Sequence, residues 1–259
     1  NERMACRCRF YVETRGKNPR FLDSTFQHVD LLSKMDQIKL KGIKKSYGKE
    51  LAVHNLDLTV NSGDFLTILG PSGCGKTTTL RMIAGFETAT SGQIKIGERI
   101  VNDLKPADRN VAMAFEGYAL YPPLTVKDNI AFSLMRERIS KDKVDSKVME
   151  VAELLEITDI LERYPPSISG GQQQRVSLAR ALVRDSDALL LDEPMSQLEP
   201  QLRAVLRARV KDYIQHNNKT VIFVTHDQTE AVALADKIAV MENGDLKQLA
   251  SPYEISAKP

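Results

Sequence analysis

Apolar residues along this chain change their period several times, and the changes mark out its elements. Ile38, Leu40 and Ile43 begin a strand-like alternation, and Leu51 to Val60 continues it with Val53, Leu56, Leu58 and Val60 at roughly every second position. A short apolar run, Phe65 to Leu69, ends in a glycine-rich turn, and a helix is expected from about Thr77. Ile94 and Ile96 mark a further strand, and Val111 to Phe115 another. From Leu120 to Ser169 the period turns helical: Val148, Val151, Ala152 and Leu155 fall at i, i+3, i+4 and i+7, which predicts a helical lobe over about 120–169. Strand and helix then alternate again, through Ala188 to Leu191, a helix over Gln201 to Ile214, Val221 to Val224, and a helix from Gln228. Such alternation predicts an α/β fold with a largely parallel sheet covered by helices.

Composition narrows the class. With 259 residues and 42% hydrophobic content the chain can bury a sizeable core. No apolar run approaches the ~18 residues needed to span a bilayer. The formal net charge of +2 comes from the first 34 residues, leaving the rest close to neutral. That balance gives no electrostatic case for nucleic acid as a partner. Three cysteines are too few for a disulfide scaffold, and Cys6 and Cys8 lack the second Cys/His pair of a zinc site, so a reducing cytosol is the simplest setting. Residues 1–34 begin with Asn1, lack the layout of a secretory signal and show no sustained periodicity, whereas orderly alternation follows Met35 at once. They are expected to be an extension outside the chemistry, with the core domain over 35–259; a regulatory arm is the alternative.

Candidate chemistry begins at Gly70-Pro71-Ser72-Gly73-Cys74-Gly75-Lys76-Thr77, which fits G-x-x-x-x-G-K-[ST]. Glycines let such a loop curl so that its N–H groups point inward at phosphate oxygens. Lys76 can reach the β- and γ-phosphates, the Thr77 hydroxyl can bind Mg²⁺, and the following helix, with Thr78 in its first turn, turns its positive end to the same anion. The plain alternative is a glycine turn after a strand. The Cys74 thiol occupies a variable position of the loop and carries no assigned chemistry. A second apolar strand ends in acid, Leu191-Asp192-Glu193-Pro194. At a strand tip beside a phosphate loop, Asp192 can hold Mg²⁺ directly or through water, and Glu193 can orient and deprotonate the attacking water. Without the phosphate loop, the same pair would read as a solvated turn.

A third segment, Ser169-Gly170-Gly171-Gln172, leads into a helix from Val176 to Val183. It fits a second anion cradle, or equally a helix N-cap with permissive glycines. Two copies packed head to tail would use a second cradle, each closing over the other's γ-phosphate.

Taken with Val224-Thr225-His226-Asp227, these ordered motifs resemble the nucleotide-binding subunit of ABC transporters, and the similarity runs from about Met35 to Pro259. The resemblance implies a phosphate-loop ATPase core with a mostly parallel sheet, an antiparallel β subdomain and a helical lobe carrying the signature Ser169–Gln172. It implies ATP and Mg²⁺ as cofactors, Tyr47 stacked on adenine and His226 at the γ-phosphate. It implies work at the cytoplasmic face of the membrane as a head-to-tail dimer, with itself or a homologous subunit, beneath separate permease subunits fed by an external solute-binding protein. Tyr118-Ala-Leu-Tyr121-Pro122 and the run Glu230 to Ile238 resemble importers of carbohydrates or polyols, with polyamine or anion importers behind. The competing readings of Tyr47 and His226 are a surface aromatic in a Ser-Tyr-Gly turn and a strand-end polar residue.

The chain departs from the family pattern at three positions. Glu116 stands where Gln is usual, with a part in catalysis and in holding Mg²⁺; Glu199 stands where Asp is usual; Ile168 replaces Leu. Sugar-importer ATPases also commonly carry a C-terminal β-rich regulatory domain, which is expected to be missing or truncated here. DNA-repair and chromosome-organising ATPases share the first motifs but separate them by long heptad segments, absent between Arg81 and Ile168. A small-molecule kinase would have no use for Ser169-Gly170-Gly171.

Overall fold

The computed structural model describes residues 38–135 and 137–257; the expected extension over 1–34 lies outside them. The opening alternation folds as β1 (Ile38–Tyr47) and β2 (Glu50–Val60), an antiparallel pair joined at Gly48-Lys49. Gly48 takes φ 62°, the left-handed backbone that so tight a reversal requires. Ile38, Leu40 and Ile43 point into the core while Lys39 and Lys41 face solvent. β4 (Ser91–Ile96) pairs with β1 and the short β5 (Arg99–Ile100) with β4, so this sheet is antiparallel, in the order β2-β1-β4-β5.

A second sheet has the order β10-β9-β3-β8-β7-β6. β3 (Phe65–Leu69), β6 (Val111–Ala114), β7 (Ala188–Asp192), β8 (Val221–Thr225) and β9 (Lys237–Glu242) run parallel, and β10 (Asp245–Ala250) closes one edge antiparallel. β7 and β8 are buried at every position, which explains their unbroken apolar runs. Their side chains still sort by a period of two. Leu189, Leu191, Val221 and Phe223 face one core, with the Phe65 and Phe223 rings 5.9 Å apart; Ala188, Leu190, Ile222 and Val224 face the other.

Helices cover both faces. α1 (Lys76–Ala84) sits between the two sheets, in the core that also holds β1, β2 and β4. The stretch from Leu120 to Ser169 contributes α2 (Val126–Phe132), α3 (Lys141–Leu154) and two 3₁₀ turns, Thr158–Ile160 and Pro165–Ser167. These pack with α4 (Gly170–Leu182) and α5 (Pro200–His216) on the opposite face. α6 (Gln228–Leu234) and α7 (Pro252–Ala257) complete the described chain. β9, β10 and α7 lie beyond the last element the hydrophobic pattern predicts. Asn243 and Gly244, at φ 48° and 83°, form the two-residue turn between β9 and β10. Asn-Gly is a strong local signal for such a hairpin.

The far end of α1 is anchored by one side chain. Arg109, 2% exposed, donates to the carbonyls of Met82 at 2.7 Å, Ile83 at 3.0 Å, Leu104 at 3.0 Å and Asn102 at 3.1 Å. A cation at a helix C-terminus satisfies open carbonyls and complements the helix dipole. Gly85 makes room for it, since a Cβ there would stand 2.6 Å from Arg109 Nε. Arg109→Met should lower folding stability by about 3 kcal/mol, the scale of leaving several buried acceptors unmet. Urea unfolding measures this, and a shift below about 1 kcal/mol would mean that other donors replace the guanidinium.

Candidate active site

Three parallel strands deliver the candidate residues to one edge of the sheet. β3 runs into Gly70, β7 ends in Asp192 and continues to Glu193, and β8 runs into His226, with Leu69 opposite Thr225 and Asp192 opposite Val224. β6, next to β7, leads to Glu116 two residues beyond its end. Sites in open parallel sheets form beyond such carboxyl ends.

The loop from Gly70 to Gly75 is shaped by close backbone approach. A Cβ on Gly70 would stand 2.2 Å from the Met241 carbonyl oxygen, and one on Gly75 would stand 2.6 Å from that of Ala52. Gly75 takes φ 98° as the N-cap of α1, and no side chain caps the helix. The first N–H groups of α1, from Lys76, Thr77 and Thr78, are therefore presented toward the loop. Lys76 is 5% exposed and its ammonium donates to the carbonyls of Gly70 and Pro71, both at 2.8 Å. Pro71, Ser72 and Gly73 are exposed, whereas Cys74 is buried in the core beneath the loop, so its thiol serves packing.

The Thr77 hydroxyl donates to Asp192 Oδ1 at 2.9 Å. Asp192 is 1% exposed, and burial pushes its carboxyl above the ordinary range against the Thr77 bond, with Glu116 and Glu193 adding like charge. A hydroxyl and a buried carboxylate side by side are hard oxygen donors of the kind Mg²⁺ takes, and a cation there would relieve the carboxylate's desolvation. Among the described residues no three His, Cys, Asp or Glu side chains gather around a common point. The Thr77–Asp192 pair by itself fits Mg²⁺, which keeps waters and substrate oxygens in its shell, and Glu116, exposed after β6, reaches the pair through its charge.

Glu193 takes φ 46°, unusual for a residue with a Cβ. Its N–H donates to the Val224 carbonyl at 3.0 Å, and its Oε2 lies 3.0 Å from Nδ1 of His226, whose ring is exposed. Tyr47 ends β1, half exposed, with the Lys45 ammonium 4.6 Å from its ring centroid. It sits on the hairpin whose second strand abuts Gly75 through Ala52.

Ser169 is the N-cap of α4 in a complete capping box: its hydroxyl accepts from Gln172 N–H at 3.3 Å, and Gln172 Oε1 accepts from Ser169 N–H at 2.9 Å. Ser169 and Gly170 are exposed, and Gly171 packs on the loop after Glu193, where its Cβ would stand 3.2 Å from the Gln197 carbonyl. Glu199 is the N-cap residue of α5 but makes no capping bond, its side chain one methylene longer than that of a capping Asp.

Sequence reasoning passed over Gln174, Arg203 and Glu230. The Gln174 amide is buried against the loop after Glu193. Arg203 donates to the carbonyls of Ser196 and Leu198 and lies 3.9 Å from Asp227. Glu230, buried and with its carboxyl pushed up by desolvation, accepts from the Thr225 hydroxyl at 2.7 Å beneath His226. Gln174 lay in view in the Gln172-Gln-Gln run, but nothing in that run marks which amide turns inward.

The family described as ABC transporter matches residues 53–196. The sn-glycerol-3-phosphate import ATP-binding protein of Ruegeria sp. is 47% identical over 225 residues, 87% of this chain and 64% of that protein. The trehalose/maltose import ATP-binding protein of Thermococcus litoralis is 48% identical over 231 residues, 87% and 62%. The xylose/arabinose import ATP-binding protein of Haloferax volcanii is 49% identical over 226 residues, 87% and 59%. The chain thus spans about three fifths of the length of these relatives. A dimeric bacterial ABC transporter cassette superimposes with a TM-score of 0.78 at 29% identity, over 83% of this chain and 98% of that one. The same cassette in a post-hydrolysis state with ADP and phosphate gives 0.77 at 28% identity and equal coverage.

The buried Asp192 carboxyl makes a stability prediction. Its folded value lies above its unfolded one, so the folded state holds the proton more tightly and loses stability as the pH rises through the folded value. In metal-free buffer at pH 7, Asp192→Asn should melt a few degrees above wild type. The gap should close as the pH falls below about 4, the ordinary carboxylate range. A lower melting temperature at pH 7 would show that the ionised Thr77 bond outweighs desolvation.

Proposed function

The chain belongs to the ABC transporter family, and from that premise we propose that it is an ATP-hydrolysing subunit that energises solute transport. One juxtaposition carries the reading: the Thr77–Asp192 pair at 2.9 Å and the Glu193–His226 pair at 3.0 Å stand at adjoining strand ends beside the glycine loop.

ATP phosphates would lie against the N–H groups of Gly70–Thr78, with the Lys76 ammonium exchanging its two loop carbonyls for phosphate oxygens. Thr77 and Asp192 would hold Mg²⁺, which neutralises charge on the phosphates. Glu193 takes the proton of the attacking water, and His226, hydrogen-bonded to it, orients that carboxylate and contacts the γ-phosphate. Tyr47 stacks on adenine. Ser169–Gln172 completes the site of a second, head-to-tail subunit, a copy or a homologue, since the exposed Ser169 and Gly170 face outward from their own chain.

Among the described residues no helix is long and apolar enough to cross a membrane. Separate permease subunits would supply the channel, with this chain peripheral at the cytoplasmic face and an external solute-binding protein delivering cargo. Carbohydrate or polyol import fits best, supported by relatives named for trehalose/maltose, xylose/arabinose and sn-glycerol-3-phosphate. Polyamine or anion import is the other reading.

Glu193→Gln should retain ATP binding while turnover falls at least about 100-fold, the usual scale of losing a general base. An ATP-bound dimer should accumulate on size exclusion, and turnover at the wild-type rate would sink the assignment. Glu116→Gln removes a negative charge that bears on Asp192, so it should change the Mg²⁺ concentration for half-maximal hydrolysis modestly and leave ATP affinity similar or better. Coupling to the permease should change more than basal hydrolysis. Superimposable Mg²⁺ titrations, with unchanged transport in the assembled complex, would place Glu116 outside the reaction.

A further inference from the structure

We infer that Gln174, the fifth residue of α4, is a positioning residue that locks the backbone of Glu193 and ties the base to the signature segment. The inference rests on the hydrolytic reading of Glu193 above.

Gln174 is 1% exposed, and both ends of its amide are hydrogen-bonded. Nε2 donates to the Glu193 carbonyl at 3.0 Å and to Ser196 Oγ at 3.0 Å. Oε1 accepts from Gln197 N–H at 2.8 Å. These partners fix the orientation of the amide, because a flipped group would set its N–H₂ against the Gln197 N–H and its oxygen against the Glu193 carbonyl.

What the amide holds is strained. Glu193 occupies the left-handed region at φ 46°, which costs a non-glycine residue free energy and persists only where its surroundings over-determine it. Three bonds do so: its N–H is held by the Val224 carbonyl of β8, and its carbonyl accepts from the Gln174 amide of α4 at 3.0 Å and from the Ser196 N–H at 3.3 Å. The carboxylate leaves the backbone in the direction those bonds set, toward His226. Losing the Gln174 bond leaves that carbonyl only the longer one from the Ser196 N–H, so the peptide between Glu193 and Pro194 can rotate toward ordinary backbone and carry the carboxylate away from its partner.

The same helix begins with Ser169–Gln172, and Gly171 packs on the Gln197 carbonyl. A displacement of α4 therefore reaches Glu193 through a rigid turn and one amide. This gives the outward-facing signature a physical line to the chain's own base, distinct from any contact it makes across a dimer.

The test compares wild type, Glu193→Gln, Gln174→Leu and Gln174→Glu in ATP hydrolysis at 25 °C, with thermal melting and binding of a fluorescent ATP analogue on each. Both Gln174 variants should lose kcat by at least about tenfold while KM and analogue affinity stay within about twofold, the signature of a contact that serves the transition state. Gln174→Glu adds a readout that packing would not move. Its carboxylate opposes the Glu193 carbonyl, but its protonated form donates to it, so its deficit should shrink as the pH is lowered from about 8 to about 6, given that burial raises a carboxyl. If Gln174→Leu does not fold, Gln174→Glu decides by the same measures. Wild-type kcat in a folded Gln174 variant, equal losses in kcat and analogue affinity, or a pH-independent deficit in Gln174→Glu would each overturn the inference. Were wild type inactive, or Glu193→Gln fully active, the hydrolytic reading itself would fall.

Discussion

The parallel pairing of β3 with β8 and of β8 with β7 is the constraint on which the site depends. Residues distant in sequence, Gly70, Asp192 and His226, share one edge because their strands run the same way in fixed register. A one-residue slip of β7 would exchange its two faces, sending Leu189 and Leu191 into the opposite core and withdrawing Asp192 from Thr77. The cores on both sides penalise that slip. Packing far from the chemistry thus sets the 2.9 Å contact between the loop and the strand tip.

The register concentrates negative charge. Asp192, Glu193 and Glu116 lie close enough for the latter two to disfavour ionisation of the first, and Asp192 is desolvated as well. At Asp227, next to His226, the balance runs otherwise. Burial pushes the Asp227 carboxyl up, but the N–H groups of Glu230 and Thr229 together hold it below the ordinary range. Thr225 bridges the two halves of this turn, donating to Glu230 and accepting from Asp227 N–H at 3.0 Å. Asp227 is answered by protein donors, whereas Glu230, like Asp192, has one hydroxyl donor and a carboxyl pushed up by burial. Asp192 differs in standing beside the glycine loop, where it suits a cation brought with substrate.

Most of this was legible where a pattern is local. Continuous apolar runs marked β3, β7 and β8, and their polar terminators marked the site, because a buried parallel strand admits polar groups only at its end. The hairpin of β9 and β10 carried its own signal in Asn243-Gly244 but lay past the last motif that drew attention. Gln174, Arg109 and Arg203 were not legible, since each side chain bonds backbone carbonyls. A carbonyl has no residue identity, so such contacts leave no trace in spacing or composition.

Two readings of Ser169-Gly170-Gly171 stood level on the residues themselves, and the geometry makes them compatible. As N-cap, Ser169 spends one oxygen lone pair on the Gln172 N–H. A hydroxyl also has a proton, and the capping bond leaves that O–H able to donate. The capping box fixes the rotamer through which it would do so, while Gln172 Oε1 satisfies the Ser169 N–H. Gly170 adds an exposed backbone free of Cβ, with the Tyr118 hydroxyl 3.5 Å from where that atom would stand. Under the head-to-tail reading, such a cap would meet an anion with its side-chain rotamer already held by the bonds that start the helix. On that proposal, stability of the isolated chain and readiness for a second subunit's phosphate would draw on the same two hydrogen bonds.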